Sequence, residues 1–79
     1  MRSFTRYPTT LRHEPEPDLI YELEVFGEMK LSWGVEFFIF RMSFTNLNQK
    51  GIGEIRLLPK EEFSEYFSSF TEIPNPELH

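Results

Sequence analysis

The residues that could perform acid–base or thiol chemistry are few and occupy positions that do not favour catalysis. The two histidines are His13, in an N-terminal segment rich in proline, and His79, the last residue. A general base must lie within hydrogen-bond reach of the proton that it removes, and a terminal segment does not hold a side chain that firmly. Cysteine is absent, which excludes thiolate nucleophiles and cysteine-based metal centres. The sequence therefore offers no thiolate and no firmly positioned base.

Two pairs of glutamates have a spacing that carboxylate chemistry could use. Glu22 and Glu24 would share one face of a strand, and Glu61 and Glu65 would share one side of a helix. Paired carboxylates acquire different pKa values when they are buried, whereas the apolar pattern assigns these pairs to solvent-facing surfaces. No histidine or aspartate completes an octahedral set of ligands around the helical pair. We therefore predict that the protein is not an enzyme and has no metal or cofactor.

The chain is short, aromatic and acidic. Its 79 residues allow one small domain, and nine Phe, three Tyr and one Trp can supply the apolar area that such a domain must bury. The net charge is −5, from 8 Lys and Arg against 13 Asp and Glu. The apolar run at residues 37–40 is far shorter than the roughly 20 residues that span a bilayer. The N-terminus also lacks the apolar segment of a secretory signal, so we expect a cytoplasmic location.

Alternation of apolar and charged residues predicts a small antiparallel sheet. Apolar residues alternate with glutamates over residues 19–26, which predicts a half-buried strand. Gly27-Glu28 suits a two-residue hairpin loop. The apolar pattern then changes face at Trp33-Gly34, which requires a bend or a bulge. Three further strands are predicted, near residues 29–33, 35–45 and 52–58.

A single-faced aromatic stripe predicts one helix near the C-terminus. Its members are spaced i, i+3, i+4, i+7, as on the apolar face of an amphipathic helix. Pro59 suits the first helical position, and the helix is expected to end before Pro74. The stripe consists of Phe63, Tyr66, Phe67 and Phe70.

The predicted fold class is α+β. It comprises a small curved antiparallel sheet of three to four strands, either open or closed into a partly open barrel, with one C-terminal amphipathic helix packed on it. Prolines near the N-terminus predict extended backbone there. The expected organisation is an extended N-terminal arm over residues 1–18, a single α+β domain over 19–73 and an extended C-terminal tail over 74–79.

The predicted sheet carries more apolar residues than one helix can cover. One helix shelters one side of a small sheet, so the other side needs a cover from the N-terminal arm, from barrel closure, from a second copy or from another protein. Trp33, beside the predicted bend, suits either a small core or a contact with a partner. Five apolar residues share the outward face with Glu22, Glu24 and Arg41, namely Ile20, Phe26, Phe37, Ile39 and Ile52.

These observations predict a small acidic binding or regulatory module, such as an adaptor or inhibitor. It would engage a partner protein, or itself as a homodimer, through an apolar sheet face or through a sheet edge. Acidic groups would also accelerate its encounter with a basic partner. The residues predicted to form the contact are Phe26, Trp33, Phe37, Ile39, Glu22, Glu24 and Arg41.

The alternative function is binding of single-stranded nucleic acid. Exposed aromatic side chains can stack bases, and a basic arm can contact phosphates. Residues 1–13 contain three arginines and no acid, whereas residues 14–79 contain 5 basic and 13 acidic residues. Because neutralisation of phosphate dominates such binding, the acidic remainder places this function second. The candidate phosphate contacts are Arg2, Arg6 and Arg12.

Overall fold

The computed structural model describes residues 2–73, which form an antiparallel sheet and one short helix. This arrangement confirms the predicted α+β class in its general form. The predicted tail over 74–79 lies outside the described residues. In chain order the elements are β1 (Thr9–Glu16), β2 (Leu19–Lys30), β3 (Glu36–Asn46), β4 (Gln49–Ile52), β5 (Arg56–Pro59), α1 (Lys60–Tyr66) and β6 (Thr71–Ile73).

The strands follow the order β4-β3-β2-β1-β6, and β5 also pairs with β3. The pairing of β4 involves residues 43–46 of β3, and that of β5 involves residues 37–40. Because β2 occupies one side of β3 along its whole length, β4 and β5 share the other side. Within residues 2–73 the outer strands at the two ends of this order do not pair with each other. The sheet is therefore open, and the predicted alternative of a partly open barrel is wrong.

The sheet has six strands, so the predicted count of three to four is wrong. The strand predicted near residues 29–33 is the end of β2, and the one predicted near 52–58 is divided between β4 and β5. Two more strands lie in segments predicted to be the arm and the end of the helix. β1 lies within the predicted arm and pairs with both β2 and β6. Its alternation is short, since Thr9 and Leu11 are its only buried residues and two prolines follow closely. β6 has only three residues, fewer than a periodic pattern needs to be recognised. Among the residues that the structure describes, only residues 2–8 of the predicted arm come before the first strand of the sheet.

The helix is shorter than the aromatic stripe predicts. It ends at Tyr66, and Phe67 and Phe70 lie in the turns that lead into β6. The backbone N–H of Phe67 still donates to the carbonyl oxygen of Phe63 at 3.0 Å, and that of Phe70 donates to Phe67 at 3.1 Å. Serines follow at residues 68 and 69, and serine side chains compete with the helical backbone for hydrogen bonds. Turns after the helix, rather than the helix itself, therefore place Phe67 and Phe70 over the sheet.

The predicted hairpin at Gly27-Glu28 is wrong, because β2 continues through both residues to Lys30. The register of β2 against β3 shifts between Val25 and Gly27, which is a β-bulge. The turn to β3 instead spans residues 31–35, where the N–H of Gly34 donates to the carbonyl oxygen of Leu31 at 2.9 Å. Gly34 has a φ of 90°, a conformation that glycine adopts without steric cost. The bulge places Phe26 and Met29 on the same face of the sheet.

The core lies between one face of the sheet, here called the helix face, and α1. Phe63 is fully buried at its centre, with ring centroids 4.8 Å from Phe38, 5.2 Å from Phe40 and 4.9 Å from Phe67. These edge-on contacts are the favoured geometry of aromatic pairs. The buried apolar residues are Leu11, Leu23, Val25, Phe38, Phe40, Phe63 and Phe70.

The N-terminal segment packs on the same helix face. The ring of Phe4 lies 5.2 Å from that of Phe38 and 6.4 Å from that of Phe63. Arg2 attaches the segment to the helical layer, because its backbone N–H donates to Ser64 Oγ at 2.8 Å and its guanidinium donates to the carbonyl oxygen of Phe70 at 2.7 Å. Both the helix and this segment therefore shelter one side of the sheet and leave the other side bare.

Candidate functional site

The outer face, which is the side of the sheet opposite α1, carries six of the seven residues predicted to contact a partner. Leu23 and Val25 of β2 and Phe38 and Phe40 of β3 are buried on the helix face. Because successive strand residues point to opposite faces, their neighbours along each strand point outward. The six residues on the outer face are Glu22, Glu24, Phe26, Phe37, Ile39 and Arg41.

The apolar half of the outer face is built by cross-strand pairs near the β2–β3 turn. Phe37 lies opposite Met29 on one side and Pro59 on the other, and Ile39 lies opposite Leu57. Met29 is 41% exposed and Leu57 50% exposed. We define the outer strip as Phe26, Met29, Phe37, Ile39 and Leu57; three of these residues were predicted.

Met29 and Leu57 were missed by the sequence analysis. The sequence pattern predicts Met29 in a separate strand, because Gly27 suits a hairpin loop. Leu57 falls in the strand predicted near residues 52–58, which in the structure is interrupted between Ile52 and Arg56. A glycine that separates two apolar residues at odd spacing is a recognised sign of a bulge, and it could have placed Met29 beside Phe26.

The other half of the outer face carries charges that are paired within the chain. Arg41 donates to Glu24 at 2.9 Å, and Arg12 donates to Glu22 at 3.1 Å. The guanidinium of Arg41 also lies 5.6 Å from the ring centre of Phe26, within the range of a cation–π contact. This arrangement joins the charged half to the outer strip.

Trp33, the seventh predicted residue, lies in the turn between β2 and β3 rather than in the core. It is 70% exposed. Of the two interpretations that the sequence left open, a core position is wrong, and a surface position next to the outer strip is what the structure shows. Its role in a contact stays a prediction.

The three arginines predicted for the nucleic-acid alternative do not form one cluster. Arg2 is bound to the helical layer, and Arg12 is paired with Glu22 on the outer face. Arg6 is exposed in the N-terminal segment. Two of the three side chains therefore have partners within the chain, and nucleic-acid binding stays a prediction that this geometry does not favour.

A groove of about 510 Å³ lies on the helix face beside α1, and no sequence pattern predicts it. It exists because the seven-residue helix leaves part of β3 uncovered, so that Met42 is 39% exposed and Phe44 42% exposed. The ring of Phe44 lies over Gly51, its cross-strand partner, where a Cβ atom would collide with it. The groove has a volume and apolar walls that are typical of small-molecule sites. Both Glu54 and Arg56 line it, so its charge favours neither anions nor cations.

A cluster of polar groups at the other end of the helix face fixes the start of α1. Lys60 Nζ donates to Glu28 at 2.6 Å and to Glu36 at 3.0 Å, and the Tyr7 hydroxyl donates to the second oxygen of Glu28 at 2.5 Å. Burial and the bond to Glu28 raise the pKa of Tyr7 to about 12. The hydrogen bond from Lys60 lowers the pKa of Glu28, and the same bond raises the pKa of Lys60.

This cluster should make the free energy of unfolding fall at both ends of the pH range. Glu28 contributes above its ordinary pKa of 4.5, and its contribution is lost as the pH falls through the lower pKa of the folded state. Tyr7 contributes below its ordinary pKa of 10.0, and its contribution is lost as the pH rises toward about 12. Replacing Tyr7 with phenylalanine should cost about 0.5–1 kcal/mol at pH 7 and flatten the alkaline decline. Urea titrations between pH 3 and about 11.5 measure this; an unchanged alkaline limb in Tyr7→Phe would contradict it.

No protein-family model matches the chain, and no curated protein or solved structure is significantly similar to it. Within residues 2–73, no helix is long and apolar enough to cross a membrane. In the same part of the chain, no group of three or more His, Asp or Glu side chains is placed to hold a metal ion. The geometry of the domain is therefore the basis for a proposal about its function.

Proposed function

We propose that this chain is a small acidic, non-catalytic binding module that docks on a protein surface through the outer face of its sheet. One observation carries the proposal: α1 and the N-terminal segment both lie on the helix face. Within residues 2–73 no other element covers the outer strip, in which Met29 is 41% and Leu57 50% exposed, while Phe26, Phe37 and Ile39 are half-buried. Adjoining apolar side chains of this kind on a small domain mark an interaction surface.

The composition of the outer face supports docking on protein. Interfaces combine an apolar centre with a polar rim, and aromatic residues are enriched at the centre. Here Phe37 lies between Met29 and Pro59, and the paired charges of Arg41 and Glu24 adjoin the strip through the contact of Arg41 with Phe26. Phe37 would supply affinity, and the charged half would fix the orientation of the partner.

The sheet edges provide a second route for a partner, but a weaker one. β6 pairs with residues 10–12 of β1, and β4 and β5 are separated by an interruption over residues 53–55. Short or interrupted edge strands are a common means of preventing edge-to-edge pairing. Docking through the face is therefore favoured over addition of a partner strand.

Affinity capture with matched baits tests the proposal. The wild-type chain and two variants, Phe37→Glu and Tyr66→Glu, are used to capture proteins from a lysate of the source organism, with quantification by mass spectrometry. Phe37→Glu places a carboxylate in the outer strip, whereas Tyr66 is 69% exposed on α1. Proteins that bind the wild type should lose at least about tenfold in recovery with Phe37→Glu and be retained by Tyr66→Glu.

Circular dichroism of both variants establishes that they remain folded before the captures are compared. Equal capture of every protein by the wild type and Phe37→Glu, native copies of this chain included, would overturn the proposal. Loss of capture with Tyr66→Glu alone would instead place the contact on the helical side.

A further inference from the structure

We infer that the protein that docks on the outer face is a second copy of this chain, so that the module is a homodimer. This inference rests on the proposed docking role of the outer face and names its partner. It depends on how the charges of the chain are distributed between the two faces of the sheet.

The outer face carries equal numbers of acidic and basic side chains. The residues on the outward side of β1, β2, β3 and β4 include three bases and three acids. Four of these six are joined in the Arg41–Glu24 and Arg12–Glu22 pairs, and Glu14 lies 3.8 Å from Arg12. The bases are Arg12, Arg41 and Lys50, and the acids are Glu14, Glu22 and Glu24.

The net charge of −5 therefore lies away from the outer face. A strongly basic partner would be attracted to the helix face and the edges, where the excess of acids lies, and not to this neutral surface. Two acidic chains, in turn, can meet through neutral faces without bringing their excess charge together. Beyond about 8 Å, physiological salt screens the repulsion between the remaining charges. Charge complementarity thus favours a second copy.

A twofold-symmetric dimer can bring the apolar halves of the two outer faces together and, at the same time, the charged halves. In a symmetric dimer the same patch contacts itself, and the twofold axis lies in the plane of contact. When this axis runs from the apolar half to the charged half, each outer strip meets the other outer strip. The charged halves then face each other with three acids and three bases on each side. Stacked antiparallel sheets pack in this way at about 10 Å, with strands about 30° apart.

The domain is large enough for such a contact. Its principal extents are 43, 28 and 20 Å, and a broad face of the two longer dimensions exceeds the roughly 800 Å² that a standard interface buries on each partner. Phe37 and Ile39 lie between neighbouring strands near the middle of the apolar half. They are placed where the residues that dominate binding energy are usually found.

Light scattering coupled to size-exclusion chromatography tests this inference on the full chain. The wild type should have a molar mass of twice the 9.5 kDa chain at about 100 µM. Phe37→Glu should raise the dissociation constant of the dimer on the order of 100-fold and elute as a monomer. Tyr66→Glu, which changes the helical side, should remain a dimer. A monomeric wild type, or a dimer that persists in Phe37→Glu, would overturn the inference.

A charge exchange provides the matched control. Arg41→Glu alone adds negative charge to both copies and should weaken the dimer roughly tenfold. The double variant Glu24→Arg with Arg41→Glu keeps each face neutral and should recover the wild-type dissociation constant to within about threefold. A double variant as weak as the single one would contradict the role of charge balance.

The two proposals can fail separately. A monomeric wild type whose captured proteins are lost with Phe37→Glu would refute the homodimer and leave the docking face standing, occupied by another protein. A monomeric wild type with no capture that depends on Phe37 would refute both.

Discussion

Replacing Phe63 with alanine should lower the free energy of unfolding by about 3–5 kcal/mol. Phe63 is fully buried, and its ring contacts those of Phe38, Phe40 and Phe67 at centroid distances of 4.8, 5.2 and 4.9 Å. Alanine would leave a cavity that the surrounding sheet cannot close, because the other rings belong to β3 and to the turn after α1. A domain of this length has a total stability of about 4–12 kcal/mol, so much of the population should be unfolded.

Urea denaturation followed by circular dichroism measures the effect of Phe63→Ala. Tyr66→Ala is its control, since Tyr66 lies in the same helix and is 69% exposed. That control should change stability by no more than about 0.5 kcal/mol. If the two variants had equal midpoints, α1 would not pack on the sheet through Phe63.

The same substitution should destabilise the protein much more at Phe38 than at its neighbour Phe37 in β3. Phe38→Asn should cost about 4 kcal/mol or more, because it removes a fully buried ring and leaves an amide without partners in the core. Phe37→Asn should cost about 1 kcal/mol, since Phe37 lies on the bare outer face. Asparagine is chosen because Lys60 Nζ lies 5.2 Å from the centre of the Phe38 ring and would neutralise a carboxylate there.

Thermal and urea unfolding of the two asparagine variants at matched low concentration measure this difference. Low concentration keeps any dimer dissociated, so that the loss of a contact between copies does not add to the cost at Phe37. Equal destabilisation of the two variants would show that both faces of β3 are covered. The opposite order would show that the two faces have been assigned the wrong way round.

The side of the sheet on which each residue lies could be predicted where glutamates alternate with apolar residues. In β2, Leu23 and Val25 are buried, and Glu22 and Glu24 lie on the outer face, as the pattern indicates. A shift of β2 by one residue would bury Glu22 and Glu24 without partners. The free-energy cost of burying these charges therefore determines which residues of β2 face the core. The candidate site could be located for the same reason, because its residues alternate with those of the core.

The remainder of the fold depends on pairings that are distant in sequence. Gly27 is compatible with a hairpin as well as with a bulge, and the alignment of β2 with β3 as far as Lys30 and Glu36 establishes the bulge. β1 has two buried residues, so its local pattern is too short, and its place is set by β2 and β6 on either side. Three rings of the aromatic stripe after Lys60 reach the core, Phe63 from the helix and Phe67 and Phe70 through turns. The fourth, Tyr66, is 69% exposed, so its predicted place on the apolar face is wrong.

The position of Trp33 makes the chain's only indole an outward-facing spectroscopic probe. Because 70% of that side chain meets solvent, unfolding would alter its emission little. A molecule settling over the β2–β3 turn would shield the indole from water and shift its fluorescence to shorter wavelength. Tryptophan fluorescence should therefore report binding at this end of the sheet. Unfolding of the core should change the same signal very little.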